Sequence, residues 1–274
     1  NNATGTMISN STDVGSLCAG GYSLLITDAS GCTESENFTL VDPPLIGATH
    51  SVQDAFCFDA CNGQASITPT SGSSPYTYQW GDPNVQTSQT AIGLCAGTYS
   101  YTMLDANNCS FQSIVTVGEP TAVSSSFTNS SNISCFGLCD GFVEASAIGG
   151  TPPYMYSWSN GMTGPIVQGL CAGNYCLTVT DANGCTFTDC IVIDQPDVLQ
   201  ADLSSVNISC HDACNGEALA TPSGGIGPYS YLWDAPGAPA NAYINGLCPA
   251  IYNVTVTDAN GCQVDRFVSI TEPT

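Results

Sequence analysis

Cysteines and acids are the side chains of this 274-residue chain that can do chemistry, and both recur at fixed spacing. A C-x3-C pair appears as CFDAC (57–61), CFGLC (135–139) and CHDAC (210–214). Further cysteines follow in GLC at Cys95, Cys171 and Cys248, and after an Asp-Ala-Asn turn at Cys109, Cys185 and Cys262. Such thiols can close disulfides, hold zinc as thiolates, or attack as nucleophiles. Zinc fits poorly, because structural zinc sites use tighter cysteine pairs and Phe58 and Phe136 stand where CHDAC carries His211. A nucleophile needs a base, and the chain has two histidines and no lysine, with the same cysteines in every copy. A non-enzymatic role is expected, with no catalytic residue.

The acids pose a different question. Asp28, Asp105, Asp181 and Asp258 recur in turns, while Asp42, Glu119, Asp194, Asp197 and Glu272 cluster at proline-bearing junctions. Hard oxygen ligands at those junctions, Asp42, Glu119, Asp194 and Asp197 above all, make calcium the alternative role. An Asp that opens a hairpin turn needs no ion, and no D-x-D-x-D loop occurs. The expectation is no cofactor, with calcium as the alternative. The formal charge is −22, and Arg266 is the only base besides two histidines, so nucleic acid and anionic membrane surfaces are excluded as partners. No run of about 18 apolar residues exists to insert directly into a membrane.

These residues sit in a repeat. SLCAGGYSLLITDASGC (16–32) returns as GLCAGTYSYTMLDANNC (93–109), GLCAGNYCLTVTDANGC (169–185) and GLCPAIYNVTVTDANGC (246–262). Tyr22, Tyr99, Tyr175 and Tyr252 mark a period of about 77 residues. Between the C-x3-C pair and this phrase stand PYTYQW, PYMYSW and PYSYLW. The expected domains are the back half of a repeat at 1–44 and whole repeats at 45–120, 121–197 and 198–274, a window on a longer chain. Runs such as CLTVTD, bounded by turn residues, read as strands. In PYTYQW a period of two puts Tyr76, Tyr78 and Trp80 on one face, and Trp158 and Trp233 repeat that placement. A core Trp on a central strand, with Tyr22, Tyr99, Tyr175 or Tyr252 after a tight corner, predicts an all-β fold of tandem immunoglobulin-like sandwiches. Units this small bury little surface and need staples.

A strand of roughly seven residues spans about 23 Å, so Cys95 and Cys109, one at each end, cannot bond each other. In an immunoglobulin-like topology the first turn and the corner before the Tyr strand share a pole, which favours Cys61–Cys95, Cys139–Cys171 and Cys214–Cys248. The remaining pairs within a unit are Cys57–Cys109, Cys135–Cys185 and Cys210–Cys262. Alternatively, the hairpin-turn cysteines lie at the opposite pole and bridge to a neighbouring unit. Cys176 and Cys190 flank one turn almost symmetrically, as a cross-strand disulfide would. Cys18 and Cys32 are left to partners in the missing half. Eight N-x-S/T sequons occur, starting at Asn2, Asn10, Asn37, Asn108, Asn129, Asn132, Asn207 and Asn253.

The phrases ISCHDACNGEA, GGTPPYMYSWSNG and GLCAGNYCLTVTDANGC resemble the SprB repeat of bacterial gliding-motility surface adhesins. The resemblance implies a long, repetitive, extracellular cell-surface protein of the Bacteroidota, exported by the type IX system and acting as an adhesin or filament. Where the family has a small residue, this chain has Cys95, Cys171 and Cys248, always together with Cys61, Cys139 and Cys214, which supports pairing them. The expected function is a stalk of tandem disulfide-linked modules whose partners are neighbouring repeats or identical subunits in a filament. The alternative is a ligand- or glycan-binding adhesion module, for which Phe58, Phe136 and Tyr243 are the loop aromatics on offer.

Overall fold

The structure is a computed structural model that describes residues 12, 14–15 and 17–273. Every regular element among them is a β-strand, and no helix is long and apolar enough to cross a membrane. The chain divides into two compact units, Asn1–Glu119 and Pro120–Thr274.

In the first unit, β1 (Gly20–Thr27) and β2 (Thr33–Leu40) form a two-stranded antiparallel hairpin. Six strands follow: β3 (Gly47–Gln53), β4 (Gly63–Ser71), β5 (Thr77–Trp80), β6 (Thr90–Leu94), β7 (Gly97–Leu104) and β8 (Ser110–Val117). They form two antiparallel sheets, β3-β4-β6 and β5-β7-β8. The second unit contains the same arrangement twice. Its first copy is β9 (Ser124–Ser131), β10 (Gly141–Ile148), β11 (Met155–Trp158), β12 (Ile166–Leu170), β13 (Gly173–Thr180) and β14 (Thr186–Ile193). Its second copy is β15 (Gln200–Val206), β16 (Gly216–Ser223), β17 (Ser230–Trp233), β18 (Tyr243–Leu247), β19 (Ala250–Thr257) and β20 (Gln263–Ile270).

Each pair of sheets encloses one core, as the sandwich expectation requires. In the middle repeat Val143 and Ala145 on β10, Val167 and Leu170 on β12, Trp158 on β11, Leu177 and Val179 on β13 and Ile193 on β14 are buried together. The alternation in PYMYSW is realised: Trp158 is buried, Tyr154 and Tyr156 are half-buried, and Met155 and Ser157 point out. Trp80 and Trp233 occupy the same place in their own cores. The indole N–H of each Trp is satisfied by a backbone carbonyl, of Ser88, Gly164 and Asn241 in turn, as a buried donor requires.

Two glycines of the repeat phrase have geometric causes. Gly141 pairs with Leu170 and Phe142 with Gln168, so Gly169 bulges out of the ladder at φ +71°. Gly93 and Gly246 do the same at φ +68° and +74°. The bulge turns the strand just before the cysteine of GLC, and only glycine takes that backbone readily. Gly141 itself is a close approach: a Cβ there would lie 2.9 Å from Ile193 Cγ2 and 3.1 Å from the Leu170 carbonyl. Replacing Gly141 by Ala forces strand β10 away from β14, at a cost of about 1–3 kcal/mol for overpacking. Chemical denaturation of the Gly141→Ala protein checks this, and an unchanged midpoint refutes it.

Candidate functional site at the repeat poles

The C-x3-C loop is held in the same frame in every whole repeat. In the middle repeat Asn132 Oδ1 accepts the Asp194 amide at 3.1 Å, and the Ile133 amide donates to the Asp194 carbonyl at 2.9 Å. The Ser134 amide then donates to Asp140 Oδ1 at 3.0 Å, and the Leu138 amide returns to the Cys135 carbonyl at 3.1 Å. Ser134 Oγ also donates to Asp140 Oδ2, and with the Ser134 amide it holds that carboxyl below its ordinary range. The last repeat substitutes Asn207, Ile208, Ser209 and Asn215 with the same donors and acceptors, and the first uses Asp54, Ala55, Phe56 and Asn62. A junction side chain closes each loop: Glu119 accepts the Asp59 amide, Gln195 the Gly137 amide, and Glu272 Oε2 lies 2.7 Å from His211 Nδ1.

The second cysteine of each loop bonds the cysteine that follows the bulge, as Cys61–Cys95, Cys139–Cys171 and Cys214–Cys248. The next strand starts with a tyrosine corner. Tyr99, Tyr175 and Tyr252 donate their hydroxyls to the carbonyls of Cys95, Cys171 and Cys248 at 2.9, 2.9 and 3.0 Å, and Tyr22 does so to Cys18. These tyrosines are half-buried at the edge of the core. Cys176 and Cys190 face each other across the β13–β14 ladder and are bonded. Because Cys214 is in a disulfide, the CHDAC pair offers no thiolate couple to zinc.

The opposite pole is built on a carboxylate. Asp181 Oδ1 accepts the amides of Asn183 and Cys185, both at 2.9 Å, and Oδ2 accepts the Thr151 amide at 2.8 Å. Asp258 takes Asn260, Cys262 and Ile226 in the same way, and Asp105 takes Asn107, Cys109 and Ser73. All three carboxylates are buried. Burial pushes the Asp181 and Asp258 carboxyls up, but the converging amides outweigh it and hold both below the ordinary range; for Asp105 the Ser73 amide is the largest influence, in the same direction. A carboxylate whose oxygens face three N–H donors is held as an anion by backbone dipoles, so these aspartates orient the backbone of turn and loop. Asp28 keeps only the turn part of the arrangement, accepting Ser30 and Cys32.

Two of the predicted pairings fail for a geometric reason, and a third falls with them. Strand β13, eight residues or about 26 Å long, separates the Cys171 corner from the Asp181–Cys185 turn. Cys135 shares a loop with Cys139, so it lies at the Cys171 pole, far from its own hairpin turn. Cys135 instead bonds Cys262 of the following repeat, with a Cα separation of 5.7 Å. This excludes Cys135–Cys185 and Cys210–Cys262. Cys57–Cys109 is also excluded: Cys109, like Cys18, Cys32 and Cys210, is a free thiol, while Cys57 and Cys185 are both disulfide-bonded. The alternative reading, with the hairpin-turn cysteines at the opposite pole and bridging to a neighbouring unit, is the one Cys135–Cys262 realises, although a period cannot say which repeat supplies a partner. The turn sequence Asp-Ala-Asn-Gly-Cys carried the clue, since Asn260 reaches across to the Ser134 carbonyl of the preceding repeat at 2.8 Å. The cleft beneath is lined by Asn132, Ile133, Asp194, Gln195, Pro196 and Ile226.

Asp42, Asp194 and Asp197 are exposed, and Glu119 caps the Asp59 amide. Among the described residues the group close enough to share an ion is His211, Asp212 and Glu272, all exposed. Phe58 and Phe136 are exposed on their loops, whereas Tyr243, expected on a loop, is the exposed first residue of β18. His50 lies on β3 with its ring edge-on to Tyr101. Of the sequons, Asn132 and Asn207 spend their side-chain oxygens on the loop frame, and Asn2 and Asn10 lie outside the described residues.

Two outcomes follow. The three turn aspartates have lowered native pKa values, so their stabilisation is complete above the unfolded range near pH 4 and is lost as pH falls below it toward the native values. Thermal melts should be flat from about pH 8 to 5 and fall steeply below about pH 4, with Asp181→Ala costing about 2–4 kcal/mol at neutral pH through three stranded amides. Closing loops of 32 to 34 residues contributes about 3–4 kcal/mol per bond. Reduction should therefore lower the melting temperature sharply while a chelator leaves it unchanged; melting by chelator alone would reverse the roles given to thiols and acids.

The SprB repeat family profile matches this chain three times, at residues 49–85, 127–163 and 203–238. No curated protein matches. Among solved structures, the chain is similar to three N-terminal domains of the bacteriophage RB49 outer capsid protein Hoc, at 13% identity over 84% of this chain and 100% of that one, with a TM-score of 0.42. It is similar to the eight N-terminal immunoglobulin domains of Down syndrome cell adhesion molecule at 12% identity, over 93% of this chain and 40% of that one, with a TM-score of 0.40. A tetra-tandem repeat from the extending region of a large adhesion protein gives 13% identity over 95% and 84% of the two chains, at a TM-score of 0.29. The SprB repeat profile thus recurs once in each whole β-sandwich of this chain, and each sandwich is similar to that repeat.

Proposed function

We propose that this chain is a structural, non-enzymatic segment of a long extracellular surface adhesin, a thread whose repeats are stapled internally and then joined to one another. The observation that carries this reading is the Cys135–Cys262 bond. A single peptide connection at Gln195-Pro196 would leave consecutive sandwiches free to swivel. A second covalent tie, reinforced by Asn260 on the Ser134 carbonyl, removes most of that freedom. The recurring polar groups are spent on architecture: the turn carboxylates on amides, the tyrosine hydroxyls on carbonyls, and twelve of the sixteen thiols on bonds. With one Arg and no lysine in 274 residues, the thread also offers almost nothing to proteases that cut after basic residues.

The joined geometry has a mechanical consequence. Cys135 and Cys262 are 127 residues apart in sequence, and the bonds Cys139–Cys171, Cys176–Cys190 and Cys214–Cys248 lie within that span. Under tension applied at the chain ends, force passes through the bridge and bypasses everything between. Single-molecule pulling of the oxidised chain should therefore fall short of the reduced chain by roughly 40 nm from this bridge alone, at about 3.3–3.6 Å per residue. Equal extensions in the two states would sink the thread reading.

A further inference from the structure

Three positions of the repeat meet at the C-x3-C loop, and in the last repeat all three carry metal-ligand side chains. The residue after the first loop cysteine is Phe58, Phe136 and His211 in turn, and the next is Asp59, Gly137 and Asp212. The junction residue is Glu119, Gln195 and Glu272. In the first two repeats the junction side chain is spent on backbone, Glu119 on the Asp59 amide and Gln195 on the Gly137 amide. In the last repeat Glu272 turns instead to the imidazole, with Oε2 2.7 Å from His211 Nδ1. On the other edge of the same ring, Asp212 Oδ2 lies 3.7 Å from Nε2.

The backbone that carries these side chains is fixed. The Ala213 amide donates to the Cys210 carbonyl at 3.1 Å, and Asp212 takes a left-handed conformation at φ +64°, as Asp59 does at +58° and Gly137 at +77°. One residue before Glu272, the Thr271 amide donates to Asn207 Oδ1 at 2.9 Å, and the Thr271 carbonyl accepts the Ile208 amide at 3.3 Å. Cys214–Cys248 pins the end of the loop. The three side chains themselves are exposed, so an ion reaches them without opening the fold. A docked neighbour leaves these positions open: Cys262 and Asn260 seat on the loop of the middle repeat, and Phe136 and Gln195 remain exposed there.

The structure assigns a divalent metal site of the zinc class to His211, Asp212 and Glu272. One ligand atom from each lies within 4.8 Å of the other two. Small rotations of exposed side chains bring such atoms to the separation of roughly 3.3 Å that bonds near 2.1 Å require around a tetrahedral ion, with water in the fourth position. An imidazole nitrogen beside two carboxylates suits zinc and its first-row neighbours, whereas calcium takes about six to eight oxygen ligands. With 23 acids against one arginine, the field of the chain draws cations to its surface. Carboxylates alone do not select this ion; the imidazole does. Among the described residues no other group of three such side chains lies this close. The site goes beyond the thread reading and does not depend on it, since hydrogen bonds and a disulfide already hold the loop.

The experiment titrates the oxidised chain with zinc chloride, its free thiols first blocked with iodoacetamide so that no thiolate competes. Calorimetry reads the binding, and proton NMR follows the rings of the two histidines. The expected result is one saturable site per chain, with the His211 ring signals shifting and those of His50 unmoved. His211→Phe and Glu272→Gln should each weaken zinc binding about tenfold or more, since even the outer-shell partners of a metal ligand are worth that much. Both substitutions place residues that the folded middle repeat carries at the same positions, so neither disturbs the fold. An absence of saturable binding, binding that His211→Phe leaves intact, or displacement of the zinc by equimolar calcium would each overturn the proposal. None of these outcomes touches the pulling result, which depends on the bridge between repeats.

Discussion

A buried carboxylate facing three backbone amides organises one end of every whole repeat, and most other features of the fold follow from accommodating it. With 23 acids against one arginine, the chain has no cation to pair with Asp105, Asp181 or Asp258, so an ionised side chain in the interior must be solvated by N–H dipoles. Two amides come from the turn itself and cost nothing in topology. The third comes from the loop ahead of the PYxYxW strand, and in the second unit a glycine makes the approach feasible. Gly150 sits at φ +59°, and a Cβ there would lie 2.5 Å from Asp181 Oδ2; Gly225 repeats this against Asp258. The carboxylate thereby ties hairpin to loop, and sheet to sheet, and in the last repeat it does so at the pole that presents Asn260 and Cys262 to the preceding repeat.

The other pole solves a different problem. Each core holds about ten buried apolar residues, little for a domain of this size. The bulge at Gly169 and its equivalents turns the chain so that the cysteine of GLC meets the second cysteine of the loop, while the tyrosine corner closes over the same carbonyl. Covalent and hydrogen-bonded restraints thus converge at one corner of each sandwich. The unfolded chain loses entropy to a loop of some 32 to 34 residues, which substitutes for apolar surface the repeat does not possess.

What the sequence made legible was local and periodic. The alternation of Tyr154, Tyr156 and Trp158 identified a core face because strand geometry has a period of two, and the D-A-N-G turns identified hairpins because few residues tolerate their backbone. The repeat itself announced tandem sandwiches. The partner of Cys135 was not legible in the same way. Cys185 and Cys262 occupy identical sequence contexts, so no pattern distinguishes bonding within a repeat from bonding to the next; only the placement of loop and turn at opposite ends of an eight-residue strand decides it. The aspartates were ambiguous for a related reason. A carboxylate in a turn can bind a cation or an amide, and its choice depends on a loop some thirty residues upstream, as with Thr151 and Asp181.

The same opposition of poles explains why a simple module can be iterated. If loop and hairpin lay at one end, the two cysteines would satisfy each other within a repeat and leave nothing to connect. Placing them a strand length apart makes a repeat directional, with a loop thiol at one end and a hairpin thiol at the other, which an external oxidant can join to a neighbour. The peptide junction already brings consecutive repeats into contact, so the effective concentration of the two thiols is high and the bond forms between neighbours. Stability and connectivity then come from separate cysteines: the second of each C-x3-C pair secures the repeat that carries it, and in the middle repeat the first, Cys135, secures the last repeat through Cys262. That division lets the number of repeats change without redesigning any of them.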